Sequence, residues 1–397
     1  SVDKAITRSL RHRVHCDGEK LTFESIAMTE DRTLYPPERT KMASIEAARA
    51  LAAVAVVLMH AANLMSVEHF SGHIGMGRVF DFGYVGVDFF FVLSGFIITY
   101  IHYADIGRPG MIGRYLWRRF SRIFPIYWFI LLLVILVTTL ARMTQGKSPG
   151  FEIGVEDIAG TVFLLMSGDE PKYVGVAWSL QFEVMFYLAF CVLLIHARAG
   201  AMLFLAWGAY VLLHVVGWAS PRLPFQLSNP HCFQFLVGVC VGAIARRHPL
   251  QTRVGMLLPS VLGFVLATLF EVDGPFERHS GPGRIALGLA AAFVLATLVG
   301  LERQQLLKTP AWLARMGSVS YTIYLGHILF INSTYMVLLK IGLYHALPEA
   351  LVYVIAVTVA LFGTILLGVF VELPMVGAIK DRFFQRHTAH VPIKIGV

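Results

Sequence analysis

Read for hydrophobic and polar positions alone, the chain alternates between about ten long apolar runs and short polar connections. The runs cover about 45–66, 84–104, 122–142, 178–196, 201–218, 229–245, 254–271, 284–301, 318–340 and 348–372. A helix rises ~1.5 Å per residue, so about 20 apolar residues cross a hydrocarbon core of ~30 Å. The pattern predicts an all-α polytopic membrane protein of about ten transmembrane helices around a bilayer-crossing cavity. The stretch 157–167 is apolar but too short to span, and predicts a surface or re-entrant segment.

The first 40 residues are polar and carry no apolar h-region, so no cleavable signal peptide is expected and the N-terminus is expected in the cytoplasm. Ten crossings return the C-terminus to the same side. Domain boundaries follow: a polar cytoplasmic extension over 1–41, a membrane domain over 42–375 and a basic cytoplasmic tail over 376–397. The basic residues agree with this topology. Of the 33 Lys and Arg, only Arg78, Arg142, Lys147, Lys172, Arg222, Arg278, Arg284 and Lys340 fall on the outer side.

Composition sharpens the class. Hydrophobic residues make up 56% and charged ones 15%, against roughly a quarter charged in soluble domains. The net charge of +8 is accounted for by topology and anionic lipid head groups, and nothing points to a nucleic-acid partner. The cysteines Cys16, Cys191, Cys232 and Cys240 form no CxxC pair or Cys/His cluster, so neither a metal site nor a disulfide framework is implied.

Ionisable side chains at membrane depth are costly, at least ~2.5 kcal/mol each, and are functional candidates by default. In the first run, Arg49 and His60 are eleven residues apart, three turns plus ~20°, and share a face ~16 Å apart along the axis. A snorkelling Arg and a packed His are the bland alternative. In the second run Asp88, Gly95, Thr99 and His102 fall on one face. Glu183 in the fourth run lies at a depth comparable with His60, where a carboxylate would orient an imidazole and raise its basicity. Ser320, Tyr324 and His327 form a polar stripe in the ninth. If the stretch before the third run is helical, Arg114, Arg118 and Arg122 run up one side with Arg119 adjacent, near Arg49. Guanidinium forks there suit the phosphates of an anionic ligand.

This layout fits a trans-bilayer group transfer, with an anionic donor held by arginine and a base facing an acceptor hydroxyl on the far side. A proton-coupled transporter or flippase for a sugar or lipid-linked substrate would also use buried His and carboxylates.

Several motifs carry a family resemblance: Arg49-x10-His60, GYVGVDFFFVLSGFII (83–98), RRFSRIFPIYW (118–128), WSLQFEVMFY (178–187), FQFLVGV (233–239), GSVSYTIYLGH (317–327) and VELP (371–374). In this order the chain resembles the membrane-bound acyltransferase-3 family, most of all its exopolysaccharide-type O-acetyltransferases. The resemblance implies transfer of an acyl group, usually acetyl, from cytoplasmic acetyl-CoA as co-substrate to a carbohydrate hydroxyl across a bacterial inner membrane, with polysaccharide biosynthesis machinery as partner. It implies His60 as the catalytic His, Arg49 near the acyl-CoA, Arg118, Arg119 and Arg122 on its phosphates and Glu183 as a functional carboxylate; we assign His60 as general base on the sugar hydroxyl, oriented or supported by Glu183. Asp88, Ser94, Tyr324 and His327 are expected to line the site. Some members carry a C-terminal esterase domain. This chain ends about 25 residues after its last run, so transfer is expected to finish in the membrane domain or on a separate protein.

Overall fold

A computed structural model describes residues 42–67, 70, 77–148, 154, 157–166, 171–219, 225–273 and 280–379. The extension expected over 1–41 and the tail from 380 on lie outside these residues. Eleven helices of eight residues or more are described: α1 (Ala43–Met65), α2 (Val85–His102), α3 (Ile112–Met143), α4 (Trp178–Ile195), α5 (Ala197–Val215), α6 (Pro230–Arg247), α7 (Leu257–Asp273), α8 (Gly281–Arg303), α9 (Ala311–Ser318), α10 (Ser320–Lys340) and α11 (Glu349–Leu367). Among the described residues, nine helices are long and apolar enough to cross a membrane.

The tenth expected crossing, α6, exists as a helix but is less apolar than the other nine. The reason lies in its neighbours. It packs against α2, α5 and α8, so His231 and Gln234 on it are buried in protein and no uniformly lipid-like surface is required of it. Its contact with α2 depends on glycines. A Cβ at Gly95 would stand 2.0 Å from the Phe235 carbonyl oxygen, and one at Gly238 would stand 1.9 Å from that of Val92. Two helices whose backbones approach this closely admit no side chain at the crossing.

The third helix is longer than its apolar run. Ile112–Met143 is continuous through Pro125, about 48 Å at 1.5 Å per residue, and its first three turns carry the arginines. The short segment 157–166 does not span. It makes a single helical turn at Ile158–Val162 and is tied to α3 where the hydroxyl of Tyr127 donates to the Thr161 carbonyl and the indole of Trp128 to that of Val162.

Polarity runs inside out, as lipid demands. Leu132, Leu205, Leu258 and Phe362 face outward, and a helix suits lipid because its interior backbone groups pair along itself. Inward, α1, α10 and α11 share one apolar core, α2, α6 and α8 a second, and α3 and α4 anchor a third. A cavity opens where the three meet.

Candidate active site

The cavity is lined by Arg49 of α1, Ser94, Ile97 and Ile98 of α2, Arg119, Arg122 and Ile123 of α3, Ser179 and Glu183 of α4, and Ser320, Tyr321 and Tyr324 of α10, among others. Arginines separated by 70 residues of sequence thus face one space. Arg49 is buried and its guanidinium sits 3.2 Å from Glu46, one turn earlier. Arg119 is buried between the rings of Tyr115 and Tyr187, at 5.7 and 5.6 Å, and its Nε finds no partner among the described residues. Nor does Arg122 make a hydrogen bond or ion pair there. Two guanidiniums lacking carboxylate partners at one end of a cavity suit an anionic ligand, since both keep donors to offer. Arg118 does not line this space, and Arg114 is exposed on the outer side of the helix.

Glu183 is held by its own helix and by α2. Tyr187, one turn on, donates its hydroxyl to Oε1, and Ser94 donates from 3.3 Å. Arg49, Arg122, Glu46, Glu183 and Glu372 lie near enough to act on one another electrostatically, and Glu372 accepts a hydrogen bond from Thr322 at 2.5 Å. The arginine end is thus charge-balanced rather than simply basic.

His60 lies about three turns along α1 from Arg49. The sequence pairs it with Glu183. In the structure its ring meets His327 of α10 instead, with His60 Nδ1 3.1 Å from His327 Nε2 and ring centroids 5.0 Å apart. The reason is direction: α1 and α10 share a core and run side by side, so equivalent depths on the two helices face each other, while Glu183 faces Ser94.

The hydrogen bonds fix the tautomers. His327 Nδ1 lies 3.1 Å from the Ile323 carbonyl oxygen, which can only accept, so Nδ1 carries the proton and Nε2 presents a lone pair. His60 Nδ1 must then be the donor, shared between His327 Nε2 and the Val56 carbonyl at 3.1 Å. The neutral His60 ring keeps its proton on Nδ1, which leaves Nε2 as a bare, basic nitrogen. The turn is pinned on both sides: Tyr353 donates to the Leu58 carbonyl and Tyr335 to that of Ala61, each at 3.0 Å. Neither His60 nor His327 is among the residues lining the cavity, and Tyr324 stands between the imidazole pair and that space. Its hydroxyl lies in the cavity wall, 2.8 Å from Ser179 and 3.0 Å from the Val176 carbonyl, and its ring is 6.2 Å from that of His327.

Asp88 stands apart from this cavity. The face it shares with Gly95 and Thr99 is the face of α2 that packs on α6, whereas Ser94, Ile97 and Ile98 present the cavity face. Fully buried, Asp88 accepts from the Arg284 guanidinium at 3.0 Å and from Gln234 at 2.6 Å, and His231 is 3.6 Å away. Arg284, counted on the outer side at the start of the eighth run, lies in the first turn of α8 and points inward to Asp88. The His231 ring rests 4.4 Å from that of Phe91, so this cluster backs the cavity wall without entering it.

Three contributors escaped the sequence reading. Tyr187 was legible as the i+4 partner of Glu183, and Glu46 as the i+3 partner of Arg49. Ser179 carries no such signal, since its partner Tyr324 lies 145 residues away.

Residues 42–369 match the family described as an acyltransferase domain. The chain is 25% identical over 278 residues to the exopolysaccharide production protein ExoZ of Rhizobium meliloti, covering 67% of this chain and 82% of that protein. It is 23% identical over 339 residues to the O-acetyltransferase OatA of Staphylococcus aureus, covering 76% of this chain and 53% of that one. To the peptidoglycan O-acetyltransferase OatA of Listeria monocytogenes it is 25% identical over 341 residues, covering 76% and 51%. The chain therefore spans about half the length of the OatA relatives. No solved structure matches it.

Proposed function

Because the chain belongs to the acyltransferase-3 family and has, among its described residues, nine helices long and apolar enough to cross a membrane, we propose that it moves an acyl group, acetyl by preference, from cytoplasmic acyl-CoA to a carbohydrate hydroxyl on the far side of a bacterial inner membrane. The acceptor is a surface glycan, exopolysaccharide first. The relatives supporting this are named for exopolysaccharide production and for O-acetyl transfer.

The observation that carries the reading is the pairing of two groups: the cavity-lining guanidiniums of Arg119 and Arg122, which make no hydrogen bond or ion pair among the described residues, and the bare Nε2 of His60 beyond Tyr324. Arg49 and His60 are ~16 Å apart along α1, a distance an extended pantetheine arm covers. In the proposed step, His60 Nε2 takes the proton of the acceptor hydroxyl as its oxygen attacks the thioester carbonyl. The carbon–sulfur bond breaks, an ester forms, and the proton passes to the departing thiolate. His327 orients His60. Glu183 acts at the other end, holding Tyr187 against Arg119 so that the donor's anionic part meets fixed guanidiniums.

The test has two readouts. Purified protein should bind labelled acetyl-CoA saturably, and Arg119→Ala or Arg122→Ala should weaken that binding about tenfold or more. His60→Ala should leave binding intact and abolish O-acetylation of surface polysaccharide in cells that carry normal protein levels. Absence of any affinity for CoA would sink the reading.

A further inference from the structure

A second concave site lies where α6 and α8 end, near the last turn of α2. Its volume is about 890 Å³, and it is lined by Arg246, Arg247, His248, Arg253 and Arg303 together with the 249–252 loop. Among the described residues no Asp or Glu lines it. Among the described residues none of the four arginines is in an ion pair. Glu302, the nearest carboxylate in sequence, is committed elsewhere: it accepts from the backbone amides of Ala43 and Ser44.

The guanidiniums are not loose. Arg246 and Arg303 arrive from two helices onto the single ring of Tyr100, at 5.3 and 5.4 Å. Arg303 also donates to the Tyr100 hydroxyl at 2.9 Å and to the Ala245 carbonyl at 2.6 Å. Arg247 donates to the Tyr103 hydroxyl and lies over that ring at 5.7 Å. The loop forming the rim is clamped by Gln304, whose amide donates to the Thr252 carbonyl at 3.0 Å. Orienting a membrane protein requires basic residues in number on one side. It does not require two like charges held against one ring. That arrangement carries a repulsion which a bound anion relieves, and fixed guanidinium forks match phosphate oxygens in geometry as well as charge.

We propose that this pocket binds a phosphate-bearing ligand through Arg246, Arg247, Arg253 and Arg303. The shared chemistry is a phosphomonoester or phosphodiester, available either from the nucleotide end of a soluble cofactor or from a phospholipid head group of the adjoining leaflet. The site does not depend on the acyl-transfer reading, because binding can be measured without turnover.

The experiment uses the full chain, purified in detergent, as wild type and as Arg246→Gln/Arg253→Gln. These two arginines are chosen because neither donates a hydrogen bond to another described residue. One arm titrates adenosine 3′,5′-bisphosphate by calorimetry, and the other follows retention of phosphatidylglycerol against phosphatidylcholine by native mass spectrometry. The expected result is a loss of about tenfold or more in one arm, together with sensitivity to salt. Loss in the first arm identifies a nucleotide phosphate, and loss in the second a lipid head group. If the double variant misfolds, Arg246→Lys/Arg253→Lys retains the charge without the fork and should fall between the two. Equal binding by wild type and variant in both arms overturns the proposal.

Discussion

His327 Nε2 lies 3.1 Å from His60 Nδ1, and the two rings belong to residues 267 positions apart. The contact sets which nitrogen of His60 is free. His327→Ala removes one of the two acceptors of His60 Nδ1–H and the ring contact that orients it, leaving the Val56 carbonyl and His60 itself in place. Acyl transfer should fall by about 10- to 100-fold in kcat, a part of the ~10²–10⁴ that a positioned base supplies, with KM for the donor unchanged. His327→Gln, whose amide oxygen still accepts, should recover part of the loss. Steady-state transfer in proteoliposomes separates these outcomes, and a KM effect alone would assign His327 to donor binding.

A neutral His60 is required for proton abstraction, because protonation of Nε2 consumes the lone pair. The transfer rate should therefore rise with pH as the imidazole loses its proton, and then level off. Rates measured from pH 5 to 8 at saturating donor test this. A flat profile would place the base elsewhere.

Arg284→Ala leaves the fully buried Asp88 carboxylate without its guanidinium, and should destabilise the fold by about 3–5 kcal/mol. The double variant Asp88→Ala/Arg284→Ala should be less destabilised than the sum of the two single changes. Unfolding midpoints in detergent for the four proteins give the coupling energy directly. Additive losses would mean that the 3.0 Å contact contributes no coupling.

At the crossing of α2 and α6, the atom facing each missing Cβ is a backbone oxygen, which cannot rotate away as a side chain can. Gly95→Ala and Gly238→Ala should each cost about 1–3 kcal/mol or more. Gly263, where an added Cβ meets nothing within 4 Å, should tolerate alanine. Thermal unfolding of the three variants compares them.

The apolar runs carried most of the fold, because in lipid a helix must satisfy its own backbone and its length is set by the bilayer. The apolar pattern makes α6 one more crossing of the same kind. Its sequence could not reveal that it lies among other helices, where Gln234 and His231 find Asp88 and Arg284. The site was legible one helix at a time. Periodicity places Arg49 and His60 on one face; in the structure Arg49 lines the cavity and His60 meets His327. It grouped Asp88 with the site because angles around a helix axis say which residues share a face but not what that face meets. On α3 the same ambiguity set Arg118 beside Arg119 and Arg122, though only the latter two reach the cavity. The His60–His327 contact had no local signal, since the pairing depends on how two helices distant in sequence are aligned.

The amides that begin α1 are capped by Glu302, and the ring near its far end is oriented by His327. The helix that carries Arg49 and His60 is the earliest of the described helices to be synthesised, yet its first turn is satisfied only once residue 302 is in place, and its imidazole is aligned only after residue 327. Until α8 and α10 enter the membrane, the emerging chain holds the helix without the site. Assembly of the reactive centre is thereby deferred until nearly all of the bundle has been built.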